Sequence, residues 1–327
     1  MFNVKNKALT DKIMEKRKCK RSSCRVYSSN LRRINREFSK EKFTVDLKWL
    51  QKDSKTILEK IKRMSNINQQ RNFVSASLVG FDLLKDTKNR ETFNSYLKVL
   101  NKKKAELQRS GEMTSKEKQR FVPWKEIIKL RRLLGREVNL SRLYQRETVT
   151  KKDFQKIQRY LLLMLLTELP PVRNDYADIT IMTEKQFKEA GKAEKNILLS
   201  SRGGYKFYWR KYKTVATYGQ IVILVSKYSK SLQRLLVKHV KYLRKHFPDN
   251  QSLLLNQNFG RLSRNALTKY LQRMFKTYFK KNVSTTAIRQ SFLTNRYDKK
   301  ALEEHSEIAR AMGHSRRTQQ ADYVKRI

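Results

Sequence analysis

The sequence predicts a mainly α-helical fold with one small β-hairpin, an α+β arrangement. Three observations carry the prediction. Apolar residues recur at the i, i+3, i+4 spacing of a helix over most of the chain. Nine Gly and four Pro in 327 residues leave few helix breakers. Only residues 206–225 concentrate β-branched and aromatic side chains in the manner of strands. A disordered basic tail is excluded, because aromatics make up 10% of the residues.

Of residues 1–25, the first fifteen or so have weak periodicity, and Lys16 to Arg25 packs six cations into ten positions. They read as a basic N-terminal arm, whether solvated, held on phosphates or used as a nuclear import signal. From Tyr27 to Leu143 the pattern is helical. Val45, Trp49, Ile57 and Ile61 give one apolar face, and Phe73 to Leu84 and Phe93 to Leu107 give others. Ser110, Gly111, Thr114, Ser115 and Pro123 mark a loop over Arg109 to Pro123. A helix follows from Trp124 to about Leu134. The polar Gln145-Arg146-Glu147 stretch places a boundary near residue 145, giving a helical domain over 26–145 and a second domain over 146–327.

Thr150 and Asp153 form a capping pair ahead of Ile157, Tyr160, Leu161, Met164 and Leu165, which share a face, and Pro170-Pro171 ends that helix. The hairpin is expected from Lys206–Tyr212 and Gly219–Val225, with Lys213–Ala216 at its tip. Beyond it, Leu232, Leu235, Leu236 and Leu243 line one helix face, opposite Arg234, Lys238, Lys241 and Lys245. Leu267, Tyr270, Leu271, Met274, Phe275 and Tyr278 line another helix, capped by Ser263.

Composition narrows the function. There are 76 Lys+Arg against 29 Asp+Glu, a formal charge of +47. Self-repulsion at that charge opposes a compact chain, so the surplus points to a polyanionic partner, nucleic acid first. No apolar run approaches the roughly 20 residues of a membrane helix, and no signal peptide opens the chain, so an intracellular protein with no membrane partner is expected. Cys19 and Cys24 alone cannot complete a four-ligand zinc site and read as free thiols. His-Glu-x-x-His, a glycine-rich phosphate loop and the Gly-x-Ser-x-Gly elbow are all lacking, so neither a metal nor another cofactor is expected. His239, His246 and His305 read as structural or exposed.

What remains is a set of cations and hydroxyls in the second half. Arg173 lies in Pro170-Pro-Val-Arg-Asn-Asp-Tyr176, Arg289 in Thr285-Thr-Ala-Ile-Arg289, and Gly313-His314 precedes Tyr323 with eight residues between His and Tyr. With Lys213 at the hairpin tip, this order resembles the tyrosine recombinases, or phage-type integrases, over Val149 to Ile327. The Pro-Pro-x-Arg-Asn-Asp-Tyr form is most similar to versions from large eukaryotic DNA viruses and related mobile elements.

The resemblance implies a core-binding-like helical domain joined to a catalytic domain that cuts and rejoins double-stranded DNA. Arg173 and Arg289 would hold the non-bridging oxygens of the scissile phosphate, as planar guanidiniums do well. Tyr323 would attack to leave a 3′-phosphotyrosyl link, Lys213 would protonate the leaving 5′ oxygen, and His314 would hydrogen-bond the phosphate. A homo-oligomer on DNA, tetrameric at synapsis, follows from the same resemblance. The chain departs from the family at Thr286, which stands where the family has a His and cannot shuttle a proton near neutral pH. It departs again at Asp175, two residues after the first Arg where many members place an acid three on. Arg32, Arg33, Arg36, Lys42 and Lys102 to Lys104 (Lys103 between them) are the DNA-binding candidates of the first half. Two other readings stay open: a non-catalytic DNA-binding protein derived from a recombinase, and a type IB topoisomerase.

Overall fold

The computed structural model describes residues 2–110, 113–148 and 150–297. The chain divides into two compact units, residues 1–112 and 113–327. It is mostly helical, with one four-stranded mixed sheet. Among the described residues, no helix is long and apolar enough to cross a membrane.

The first unit contains α1 (Phe2–Arg17), α2 (Arg21–Phe38), α3 (Lys48–Lys52), α4 (Ser54–Lys62), α5 (Ile67–Leu84) and α6 (Thr87–Ser110). On α2, Cys24, Leu31 and Ile34 fall on one face and are fully buried, the outcome of helical spacing. They meet Phe73, Val74 and Phe81 of α5 and Phe93 of α6 in one core, where the Phe81 and Phe93 rings pack edge to face at 4.9 Å. Asn66 caps α5 by accepting from the backbone N–H of Asn68 and Gln69.

Two expectations change here. The basic arm is not an arm: α1 buries Leu9 and Ile13 in the same core, and its Thr10 hydroxyl hydrogen-bonds that of Ser28 on α2 at 2.8 Å. Burying those two aliphatic side chains holds α1 against the unit although cations dominate its flank. Nor are the cysteines free thiols, since Cys19 and Cys24 are joined as a disulfide. Cys19 stands in the link from α1 and Cys24 in the first turn of α2, which brings their Cα atoms within 6.6 Å.

The second unit opens with α7 (Ser115–Lys118), α8 (Trp124–Leu140) and α9 (Lys151–Glu168). Strands β1 (Ile179–Thr183), β2 (Asn196–Ser201), β3 (Gly204–Trp209) and β4 (Ile221–Leu224) follow, with α10 (Glu184–Glu189) between β1 and β2 and α11 (Val215–Tyr218) between β3 and β4. Helices α12 (Val225–Tyr228), α13 (Lys230–His246), α14 (Arg264–Phe279) and α15 (Thr285–Arg296) complete it. The sheet order is β1-β2-β3-β4. β1 and β2 run parallel, the other neighbours antiparallel.

The division at 112/113 differs from the expected boundary near 145. Ile127, Leu130, Leu134 and Val138 of α8 share a core with Phe154, Ile157, Leu161 and Leu165 of α9. Arg131 of α8 also pairs with Glu168 and donates to Thr167 Oγ1 at 2.9 Å. The Gln145-Arg146-Glu147 stretch is therefore a connection within the second unit, and Arg146 turns back to Asp153 at 2.8 Å.

The hairpin forms as β3 and β4, but its first strand ends at Trp209 and its tip is longer, enclosing α11. Along β3, Tyr205, Phe207 and Trp209 face the main core, whereas Lys206 and Tyr208 face away, the period-2 alternation of a strand. Residues 206–225 are not the whole sheet, because β1 and β2 add two strands on one side. Thr183 at the end of β1 serves as the N-cap of α10 in a reciprocal capping box with Gln186.

Candidate phosphate-binding site

Arg173 follows immediately on the end of α9 and the Pro170-Pro171 break, and its side chain is exposed. The next five residues, Asn174–Asp178, form one 3-10 turn. Tyr176 anchors that turn: it is fully buried, its hydroxyl donates to the Leu165 carbonyl at 3.2 Å, and its ring meets Phe207 and Trp209 edge to face. The turn is therefore clamped between α9 and β3, which fixes the backbone that carries Arg173.

Arg289 is half-buried on α15, a helix whose N-cap Ser284 accepts from the backbone N–H of Ala287. The Thr285 hydroxyl donates to Asn174 Oδ1 at 3.0 Å, and the Asn174 amide donates to Thr268 Oγ1 of α14 at 2.7 Å. Asn174 thus ties the Arg173 turn to the first residue of α15 and to α14. Thr286 is exposed in the first turn of α15.

Asp175 sits between these segments. Its side chain is 9% exposed and pairs with Arg264 at 3.0 Å. Burial raises the Asp175 carboxyl above its ordinary range, while Arg264, then Arg173 and Arg289, pull it down and Asp178 adds to the rise. Arg173 and Arg289 thus both favour the charged form of the Asp175 carboxyl.

Arg264 reaches further. Its Nε donates to Asp178 at 2.8 Å, and its Nη2 donates to the Lys211 carbonyl at 2.9 Å. Buried Asn196 of β2 holds the same point, accepting from the N–H of Arg210 and Lys211 at 3.0 and 2.8 Å and donating to the Lys211 carbonyl at 2.9 Å. Lys213, two residues on, is exposed on the connection that leads to α11. The root of the hairpin tip is fixed to the Arg173 turn through Arg264, and the Lys213 side chain extends into solvent beyond that root.

His314 and Tyr323 lie outside the described residues, as does His305. His239 is fully buried on α13, between the Tyr144 hydroxyl at 3.2 Å and the Leu253 carbonyl at 3.3 Å, and His246 is half-buried at the end of the same helix. Sequence reasoning passed over Asn174, Asn196, Arg264 and Thr285. Asn174 adjoins Arg173 in the quoted motif, and Arg264 follows a recognised cap, but their partners are far along the chain.

Of the first-half DNA-binding candidates, Arg33 and Arg36 both pair with Glu37, at 2.8 and 3.3 Å. Arg33 also lies 5.2 Å from the Phe73 ring centroid, and Arg32 5.9 Å from that of Phe43. Lys42, Lys102 and Lys103 are exposed, and Lys104 is half-buried. Arg32, Arg33 and Arg36 are thus partly engaged within the unit, whereas the lysines reach solvent. No family model, curated protein or solved structure matches the chain.

Proposed function

We propose that the chain is a site-specific DNA recombinase or integrase that cuts and rejoins duplex DNA through a 3′-phosphotyrosyl intermediate. The observation that carries the reading is the joining of the Arg173 turn to the Arg289 helix by the Asn174–Thr285 hydrogen bond, with both arginines acting on Asp175. Two guanidiniums held on rigid supports can clamp the non-bridging oxygens of one phosphodiester and offset the charge that builds there during in-line attack. Tyr323 is the proposed nucleophile and His314 a further donor to the phosphate. Lys213, exposed to solvent and rooted through Lys211, is the proposed proton donor to the leaving 5′ oxygen. The +47 charge supports a duplex partner, since each neutralised phosphate releases counterions.

A duplex nicked beside the cleavage position, so that the short leaving strand diffuses away, traps the covalent intermediate. Incubation with the protein yields a DNA-linked band that Tyr323→Phe abolishes. The same lack of adduct from both proteins, with duplex binding intact, instead supports the non-catalytic reading. Relaxation of supercoiled DNA without any recombinant product supports the topoisomerase reading.

A further inference from the structure

A second concavity in the 113–327 unit uses none of Arg173, Lys213 and Arg289. Its inner part, about 250 Å³, lies between the start of α9, the 255–259 loop and α14, where Phe154, Phe259 and Tyr270 contribute aromatic rings. Gln155, Gln257, Tyr270 and Arg273 also line an adjoining outer part of about 570 Å³, to which Arg159, Lys276 and Lys280 add positive charge. No carboxylate lines either part. An aromatic wall edged by carboxamides therefore opens onto four cations.

The wall is built with care on its loop side. Phe259 has φ +59°, a left-handed conformation uncommon for a bulky aromatic. Asn256 holds it there, accepting with its side chain from the backbone N–H of Asn258 at 2.8 Å and of Gly260 at 3.1 Å. Asn250 adds a bond to the Phe259 carbonyl at 2.6 Å, and the Phe259 ring stacks on Phe247 with centroids 4.7 Å apart. Backbone strain of this kind persists where surrounding structure enforces it, and it concentrates at ligand clamps.

We propose that this cleft binds a single nucleotide, with the base against the Phe259 and Tyr270 side of the wall and the phosphate on Arg273 and its neighbouring cations. Exposed cations on a chain of this charge attract any polyanion. The aromatic and carboxamide lining is what favours a base, because rings stack on bases and amides complement their edges. The nucleotide can be free or part of a single strand, and the chemistry recognised is the same.

Calorimetric titration of the full chain tests this with deoxyadenosine monophosphate and inorganic phosphate in parallel. The nucleotide binds at least about ten-fold more tightly than phosphate, a difference that one stacked base supplies. Arg273→Gln and, separately, Lys276→Gln weaken nucleotide binding several-fold; both side chains are exposed, so the thermal midpoint is retained. Equal affinities for the two probes, or nucleotide affinity unchanged in both folded variants, overturn the proposal. A single-stranded oligothymidylate that deoxyadenosine monophosphate displaces assigns the site to a strand, and nucleotide binding without displacement assigns it to the free nucleotide. The outcome is independent of covalent adduct formation, so failure of the strand-exchange reading and failure of this one are separable.

Discussion

The Thr285 hydroxyl donates to Asn174 Oδ1 at 3.0 Å, across 111 positions of sequence. Thr285 is 6% exposed and Asn174 half-buried, so the bond is partly shielded from water. Thr285→Val keeps the shape of the side chain and leaves Asn174 Oδ1 without that donor. The expected loss is about 1–2 kcal/mol in urea unfolding. If the Arg173 turn and the Arg289 helix act together on one phosphate, adduct formation falls by more than the folded fraction does. An adduct yield that merely tracks the folded fraction would limit Thr285 to stability.

Arg264 joins three groups: the Asp175 and Asp178 carboxylates and the Lys211 carbonyl. Arg264→Met preserves the aliphatic stem and removes the charge. Asp175 already has its carboxyl raised by burial, with Arg264 the foremost group pulling it down. In the variant it rises further. A carboxyl raised in the folded state costs nothing while protonated in both states, and it destabilises progressively as pH climbs from the unfolded value through the folded one. The gap in stability between wild type and variant therefore widens on going from about pH 4.5 to about pH 7, reaching about 1–3 kcal/mol. Urea unfolding at both values measures it, and a gap that narrows with rising pH contradicts the arrangement.

What was legible in the sequence is what neighbours decide. Thr150 and Ser263 cap α9 and α14 as expected, because an N-cap needs only its own helix. The run of aromatics in Lys206–Tyr212 reveals β3 for the same reason, although the strand itself is Gly204–Trp209. β1 and β2 are short, and their parallel pairing joins Ile179 to Asn196 across a helix, which no local pattern announces. Polar Gln145-Arg146-Glu147 suggested a boundary because the packing of α8 on α9 is a tertiary fact. Among the described residues of α1, Leu9 and Ile13 are the fully buried apolar positions, too few to stand out among cations. At the candidate site the arginines were readable from their motifs, while Arg264 reaches Asp178 and Lys211 across 86 and 53 positions and was not.

His239 sets a second pH dependence, of opposite sign. Its Nε2 faces the Leu253 carbonyl and so carries the proton, leaving Nδ1 to accept from the Tyr144 hydroxyl. Burial pushes its pKa down from 6.5 to about 4. A depressed histidine contributes stability that is present above the unfolded value and is lost as pH falls towards the folded value. The loss is on the order of 3 kcal/mol. His239→Gln can make the same two contacts without titrating. Between about pH 7 and about pH 4.5, wild type should lose more stability than this variant in urea unfolding, and parallel losses would contradict the assignment.

Arg173→Lys separates charge from geometry at the candidate site. An ammonium keeps the charge that draws DNA but not the fork that holds two phosphate oxygens. Duplex affinity is expected to stay within about three-fold of wild type, whereas adduct formation drops about 100-fold or more. Filter binding and the nicked-duplex assay give the two numbers on one preparation. Equal reductions in both assign Arg173 to binding alone.

Gly80 lies inside α5, four residues before its end, where glycine is a poor helix former. A Cβ there would stand inside van der Waals contact of Leu50 Cδ2 and 3.3 Å from Leu31 Cδ2. Leu50 and Leu31 are both fully buried, so neither side chain has open space to enter. Gly80→Ala gains about 1 kcal/mol of helix propensity. Crowding of a well-packed core costs about 1–3 kcal/mol, so the variant is expected to be neutral to destabilised despite the better helix former. Adding Leu50→Val removes the methyl that clashes. The double variant should then be more stable than the sum of the two single changes predicts, the sign that contacting residues give when one relieves the other. Strict additivity in urea unfolding would mean that Gly80 and Leu50 do not share the contact.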